Sequence, residues 1–269
     1  MPVLPVMASQ SNSSEMVTQL LYNERVRILA NNGKWTKILA VDQGRTEQGY
    51  PGWVEADKLR LVDDCSINGG SWAVISQPTA KLYRELKNSA PVTQIYFGTY
   101  LKYLGYVKDP RTYPSGKPLY WLKVSSLDGQ IGWVVYDYVT IKEKSPFSGS
   151  GNMDDIICSA QVFLNTPYLW GGMTTKGIDC SGLIYMAYRQ NGIVLPRDAD
   201  QQYMVGEPVY SPYLQPGDLL FYGSGDSATH VAMYAGDGWM LESNRADGVV
   251  LRNMDYKKSF IGARRIVRN

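Results

Sequence analysis

Residues 166–184 read Thr-Pro-Tyr-Leu-Trp-Gly-Gly-Met-Thr-Thr-Lys-Gly-Ile-Asp-Cys-Ser-Gly-Leu-Ile. Gly171, Gly172 and Gly177 make a turn-rich approach to Asp179-Cys180-Ser181. Leu183, Ile184, Ala187 and Tyr188 then recur at the spacing of one helical face, and Gly192 stands where a C-terminal glycine ends a helix. Cys180 therefore opens a helix. Unpaired backbone N–H groups and the positive end of the dipole favour negative charge at such a place. A thiolate held there is a nucleophile. A cysteine that merely packs in a core is the commoner case. The glycine approach and the polar flanks speak against a core position here.

Upstream, Asp154–Asn165 has helical spacing in Ile156, Ile157, Ala160 and Phe163/Leu164, and Pro167 stops it. Downstream, Leu195-Pro-Arg-Asp-Ala-Asp200 opens a short helix through Met204, with Asp198 or Asp200 as its cap. Pro216-Gly217-Asp218 is a turn, followed by strands near 218–223, 229–235, 239–243, 248–252 and 262–267. Helices first and a strand meander after predict an α+β fold. The sequence has one histidine. If Cys180 works with an imidazole base, that base is His230, at the start of a strand after a Gly/Ser-rich loop. Taken alone, His230 would read as a surface histidine of no consequence.

The first half repeats itself. Gly52-Trp53-Val54 is followed by Leu59 and Leu61, and Gly132-Trp133-Val134 by Val139 and Ile141. Matching strands precede them, Trp35–Ile38 and Trp121–Val124, and before those Val26–Ile28 and Tyr100–Tyr103. Short alternating strands with turn signals at Asn32-Gly33 and Asp128-Gly129 read as two small antiparallel barrels. The copies differ in loops: residues 42–51 in the first, and a proline-containing stretch before Trp121 in the second. Such loops are where function lives on a rigid scaffold, although spacers or generic binding modules fit as well. Lys144–Gly151 reads as a linker. The expected boundaries are 1–62, 63–144 and 145–269.

Composition narrows the options. The 269 residues carry a net charge of +2, which implies no nucleic-acid partner. Cys65, Cys158 and Cys180 are too few and scattered for a disulfide framework, and with one histidine a His/Cys metal site is not expected. No cofactor is implied. No stretch has transmembrane length, and Met1–Ser9 is too short and uncharged for a signal peptide. A signal removed beforehand would leave the same sequence. Twenty tyrosines and seven tryptophans suit clefts for polar ligands or small barrels.

Several ordered blocks carry a resemblance. Pro167-Tyr168-Leu169-Trp170-Gly171-Gly172, Asp179-Cys180-Ser181-Gly182, Leu195-Pro196-Arg197-Asp198, Gln215–Phe221 and Thr229-His230-Val231-Ala232 resemble the NlpC/P60 cell-wall peptidases, and the repeated half resembles bacterial SH3 (SH3b) domains. The resemblance implies a circularly permuted papain-like catalytic domain after two SH3b barrels. It implies Cys180 as nucleophile, His230 as base and Tyr168 facing the nucleophile, its hydroxyl joining the Cys180 N–H in an oxyanion hole. Trp170 either lines the site or packs beside the helix, and packing is preferred. The family's third catalytic group is usually His, Asn or Gln; the aligned residue is Glu242, a departure. A three-residue Gly236–Gly238 loop would put His230 and Glu242 on one strand face, whereas a two-residue Asp237-Gly238 turn would oppose them unless a bulge intervenes. The resemblance favours the former.

The family cuts peptidoglycan stem peptides. Members with two SH3b domains resemble γ-D-glutamyl-L-diamino acid endopeptidases acting on stems with free N-terminal L-alanine. The resemblance then gives Asp198, Tyr50 and Glu15 to the ammonium side of the pocket, with Glu15 on the loop before the first barrel strand. Arg197 and Ser181, beside Asp179, go to the D-glutamate side. The expected partner is the stem peptide, the expected state a monomer. The compartment is the cell envelope or outside, with the cytoplasm open. Rival expectations are an endopeptidase on intact wall, a wall-binding protein with an inactive domain, and an acyltransferase.

Overall fold

Alternation of apolar and polar residues builds the first half. The computed structural model describes residues 1–62, 69–86, 90–149, 151–256 and 259–267, with Tyr256 by its backbone only. Cys65 and the 62/63 boundary lie outside the described residues. Strands β1 (Val3–Met7), β2 (Met16–Leu21), β3 (Val26–Asn32), β4 (Trp35–Ala40) and β5 (Tyr50–Glu55) form a sheet ordered β2-β1-β5-β4-β3. Next come β6 (Ser71–Ile75), β7 (Thr79–Tyr83), β8 (Pro91–Tyr96), β9 (Tyr100–Thr112), β10 (Pro118–Ser125), β11 (Ile131–Val135) and β12 (Val139–Glu143). They are ordered β12-β6-β9-β10-β11-β7-β8. The run β8-β7-β11-β10-β9 repeats the first order strand for strand.

Both Gly-Trp-Val strands need their glycine for one reason. A Cβ on Gly52 would stand 2.3 Å from Val6 Cγ1, and one on Gly132 2.7 Å from Leu82 Cδ1. The valines beside them, Val54 and Val134, are in the two cores. The repeat is not complete. The second sheet has β6 and β12 on its far edge, whereas Leu59 and Leu61 lie outside any strand. Strand β1 was not foreseen either, so Glu15 sits between β1 and β2 rather than ahead of the first strand.

The last third holds α1 (Met153–Gln161), the pair β13 (Met173–Thr174) and β14 (Gly177–Ile178), α2 (Cys180–Gln190) and α3 (Ala199–Gln202). A sheet follows from β15 (Glu207–Val209), β16 (Leu219–Ser224), β17 (Ser227–Gly236), β18 (Trp239–Asn244), β19 (Gly248–Asn253) and β20 (Phe260–Arg265), ordered β15-β20-β16-β17-β18-β19. Every residue of α2 is buried, as a helix wrapped by core must be. Leu183, Ile184 and Ala187 share a cluster with Phe221, Val231, Met233 and Leu241 of the sheet and with Phe163. Asn152 caps α1 by accepting from the N–H of Asp154 and Asp155. Asn191 ends α2 and Gly192 follows at φ 93°, as its spacing predicts.

The three parts meet at the C-terminal end of α2. Arg189 on α2 pairs with Glu24 of the first β-unit at 2.6 Å, both buried. Lys142 of β12 donates to the Gln190 carbonyl. Asn23, at φ 71°, accepts from the Leu127 N–H at 2.7 Å and donates to the Tyr100 carbonyl at 2.8 Å, tying the two β-units together.

Candidate active site

The approach segment sets the start of α2. Asp179 is its cap: Oδ1 accepts from the Gly182 N–H at 2.6 Å and Oδ2 from the Gly171 N–H at 2.9 Å. Both oxygens also face Arg197, at 3.0 and 2.7 Å. One carboxylate thus fixes the glycine turn, the first helical turn and the next loop. Cys180 follows at the first helical position, 8% exposed.

Arg197 is placed otherwise than expected. Its guanidinium is fully buried and committed. It donates to Asp179, to Ser181 Oγ at 2.9 Å, to the Gly172 carbonyl at 3.3 Å and to Thr18 Oγ1 at 3.2 Å. It does not present a fork to a ligand carboxylate; it braces the residues that flank Cys180. Its charge is retained because Asp179 offsets its burial. Ser181 likewise turns inward, between Arg197 and Asp179.

The histidine is on β17, a strand packed against α2. His230 Nε2 stands 2.6 Å from Glu242 Oε2. Glu242 is fully buried, and its other oxygen meets Asn244 Nδ2 at 3.1 Å and Arg252 Nε at 3.3 Å. The strand register that allows this differs from the expected loop. Gly236 pairs with Trp239, so the turn is the two residues Asp237 and Gly238, at φ 50° and 76°. That is the primed turn an Asp-Gly pair favours. A bulge between Tyr234 and Gly236 takes up one residue, and it returns Glu242 to the His230 face. The Tyr222 ring flanks the imidazole, with centroids 5.9 Å apart.

Tyr168 is half-buried on the approach segment, bridged to Ile178. Burial raises its hydroxyl above the ordinary value, and the nearby Cys180 and Asp179 charges add to that. Trp170 is 51% exposed, against the expectation of packing, because its indole N–H donates to Glu15 Oε1 at 2.7 Å across from the first β-unit. Arg245 lies over both rings, 5.8 Å from Tyr168 and 5.9 Å from Trp170. The sequence reading missed it, since a lone arginine after a strand carries no signal.

Asp198 precedes α3 but does not cap it. Its Oδ2 takes the Tyr50 hydroxyl at 3.0 Å and an ion pair from Arg45. Burial pushes its carboxyl up, and Arg197, Tyr50 and Arg45 pull it back. Arg45 was also missed as a residue, although its loop was singled out as the first unit's insert.

A cysteine at a helix start, with an imidazole oriented from the neighbouring sheet, is how cysteine peptidases divide their chemistry, and the chain is an enzyme of that class with an α+β, papain-like catalytic fold. Residues 165–265 match the model of the NlpC/P60 family, and residues 6–59 that of the bacterial dipeptidyl-peptidase Sh3 domain. The chain is 32% identical over 266 residues to a gamma-D-glutamyl-L-lysine dipeptidyl-peptidase of Bacillus cereus, covering 95% of this chain and 76% of that one. It is 32% identical over 257 residues to the protein of the same name in Bacillus subtilis, covering 92% and 80%. The crystal structure of an NlpC/P60 family protein from Bacillus cereus superposes with a TM-score of 0.86 at 26% identity, over 99% of this chain and 98% of that one. The chain belongs to the NlpC/P60 family. No described helix is long and apolar enough to cross a membrane.

Proposed function

We propose that the protein hydrolyses the γ-D-glutamyl-L-diamino acid bond of peptidoglycan stem peptides with a free N-terminal L-alanine, releasing L-Ala-γ-D-Glu. The observation that carries this is the wall contributed by the first β-unit. Glu15 is held against Trp170 of the approach segment and Tyr50 against Asp198 ahead of α3, so the first β-unit brings a carboxylate and a phenol onto the catalytic domain at two places. Acceptors of that kind offset the cost of desolvating an ammonium.

In this reading Cys180 Sγ attacks the γ-carbonyl. Glu242 takes His230 Nε2–H and leaves Nδ1 to accept the thiol proton and return it to the leaving amine. The Cys180 N–H and the Tyr168 hydroxyl stabilise the oxyanion. Water, deprotonated by His230, then cleaves the thioester and restores the thiol. Asp179, Ser181 and Arg197 hold the nucleophile's surroundings. No cofactor takes part. The units run 1–62, 63–144 and 145–269, the protein works as a monomer, and the substrate places it at the cell envelope or in recycling of wall fragments.

The test is turnover of L-Ala-γ-D-Glu-L-Lys beside its N-acetylated twin, with Cys180→Ala as control. Cleavage of the free-amine peptide alone, lost in Cys180→Ala, is expected. Equal cleavage of both would remove Asp198, Tyr50 and Glu15 from the ammonium site and leave the catalytic pair standing. Cleavage of neither would overturn the reading.

A further inference from the structure

Asp198 already has a cation on it. Arg45 Nη1 pairs with Asp198 Oδ2 and also lies 3.4 Å from Asp200 Oδ1. Tyr50 donates to the same Oδ2, and among the described residues nothing donates to Oδ1. The loop that carries Arg45 is fastened by its main chain. The Arg197 N–H donates to the Gly44 carbonyl at 2.8 Å, Gly44 bridges Pro196, and Gln201 Nε2 donates to the Arg45 carbonyl at 2.5 Å. The backbone is therefore fixed. The side chain, 41% exposed and between two carboxylates, is the part free to move.

We propose that Arg45 moderates the site's preference for a free amine: its guanidinium holds Asp198 until a ligand's α-ammonium arrives and then shifts onto Asp200. The inference rests on the reading of Asp198 as the ammonium's seat. A cation beside that carboxylate repels a second one, so Arg45 weakens binding of a free amine. A ligand without an ammonium leaves Arg45 in place, and the half-buried carboxylate stays paired. Arg45 thus narrows the gap between free and blocked peptides. Asp200, half exposed, provides the second position at little desolvation cost.

Calorimetric titration of Cys180→Ala with L-Ala-γ-D-Glu and with its N-acetyl twin tests this. The same protein carrying Arg45→Ala, Arg45→Lys or Asp200→Asn is titrated beside it. Arg45→Ala is expected to bind the free-amine dipeptide about tenfold tighter at neutral pH and the blocked one no better. Arg45→Lys, which keeps the charge and the wall, should bind like its parent. Asp200→Asn should weaken free-amine binding several-fold. Binding by the parent that Arg45→Ala leaves unchanged or weakens would overturn the inference and spare the proposed function. So would an Asp200→Asn protein indistinguishable from its parent. No binding of the dipeptide by any of the proteins would overturn both.

Discussion

Glu242 gives His230 a carboxyl partner where a neutral amide would also fix the ring. The carboxylate is fully buried, and it meets the imidazole on one oxygen and Asn244 and Arg252 on the other. In the proposed mechanism charge, and not only geometry, is part of its orienting role. Glu242→Gln keeps the shape and removes the charge. It is expected to lower kcat on the order of a hundredfold or more with little change in KM, read by steady-state turnover of the free-amine peptide. A variant within threefold of the parent would deny Glu242 that role. At this scale the sequence was most legible where chemistry is scarce: a single histidine leaves one candidate base, and a cysteine after a glycine turn declares its helix. Arg45, Thr18 and Arg245 went unread because their partners lie far along the chain or on a neighbouring loop, and no local pattern records such a meeting.

The start of α2 is held from behind by a chain of buried polar side chains. Asp179 caps the helix, Arg197 grips Asp179, Thr18 accepts from Arg197 Nε, and Thr18 donates to Gln43 Oε1 at 2.6 Å. Thr18 and Gln43 belong to the first β-unit, so the cap depends on a residue 161 positions away from Asp179 (179 − 18). Thr18→Val retains the volume and leaves Arg197 Nε and Gln43 Oε1 buried without that partner. The expected loss is ~1–3 kcal/mol of stability, measured by urea unfolding, with kcat lowered more than KM. No change in either would show that the link between the units carries nothing. Elements were largely readable from periodicity: α2 and the last strands lie where the spacing puts them, and α1 starts there but ends at Gln161, ahead of the expected Asn165. The bulge was not. Asp237-Gly238 announces its turn, but no residue near Tyr234 marks the extra position that sets the face of Glu242.

Across the whole molecule, the two β-units clamp the far end of α2. Lys142 reaches the Gln190 carbonyl from β12, at the helix end that favours a cation. Burial nevertheless lowers its ammonium to about 8, and Arg189 adds to this. Between pH 8 and the ordinary lysine value, the unfolded chain holds a proton there that the folded chain has lost. Stability therefore rises with pH over that window. Above it, the buried Tyr100 and Tyr185, raised by burial, oppose the trend, since only their unfolded forms ionise there. The urea midpoint should climb from pH 8 to about 9.5, by ~1–2 kcal/mol, and this climb should vanish in Lys142→Met. A climb that persists in the variant would assign it to another group. The repeat was visible in the twin Gly-Trp-Val segments, because the glycine is dictated by an equivalent contact in both sheets, whereas the strand order was not. The docking of the units was not, because it is made by single polar and charged residues scattered over the chain.

Glu15 and Tyr50 precede Cys180 in the chain, and the His230–Glu242 strands come later still. A ribosome therefore releases the residues proposed to receive the ammonium first, the thiol next and the proposed base last. No growing chain holds Cys180 and His230 without the residues proposed to select the substrate. A truncated product that stops anywhere before Glu242 is left without the imidazole's anchor, so interrupted translation yields inert fragments rather than unselective hydrolases.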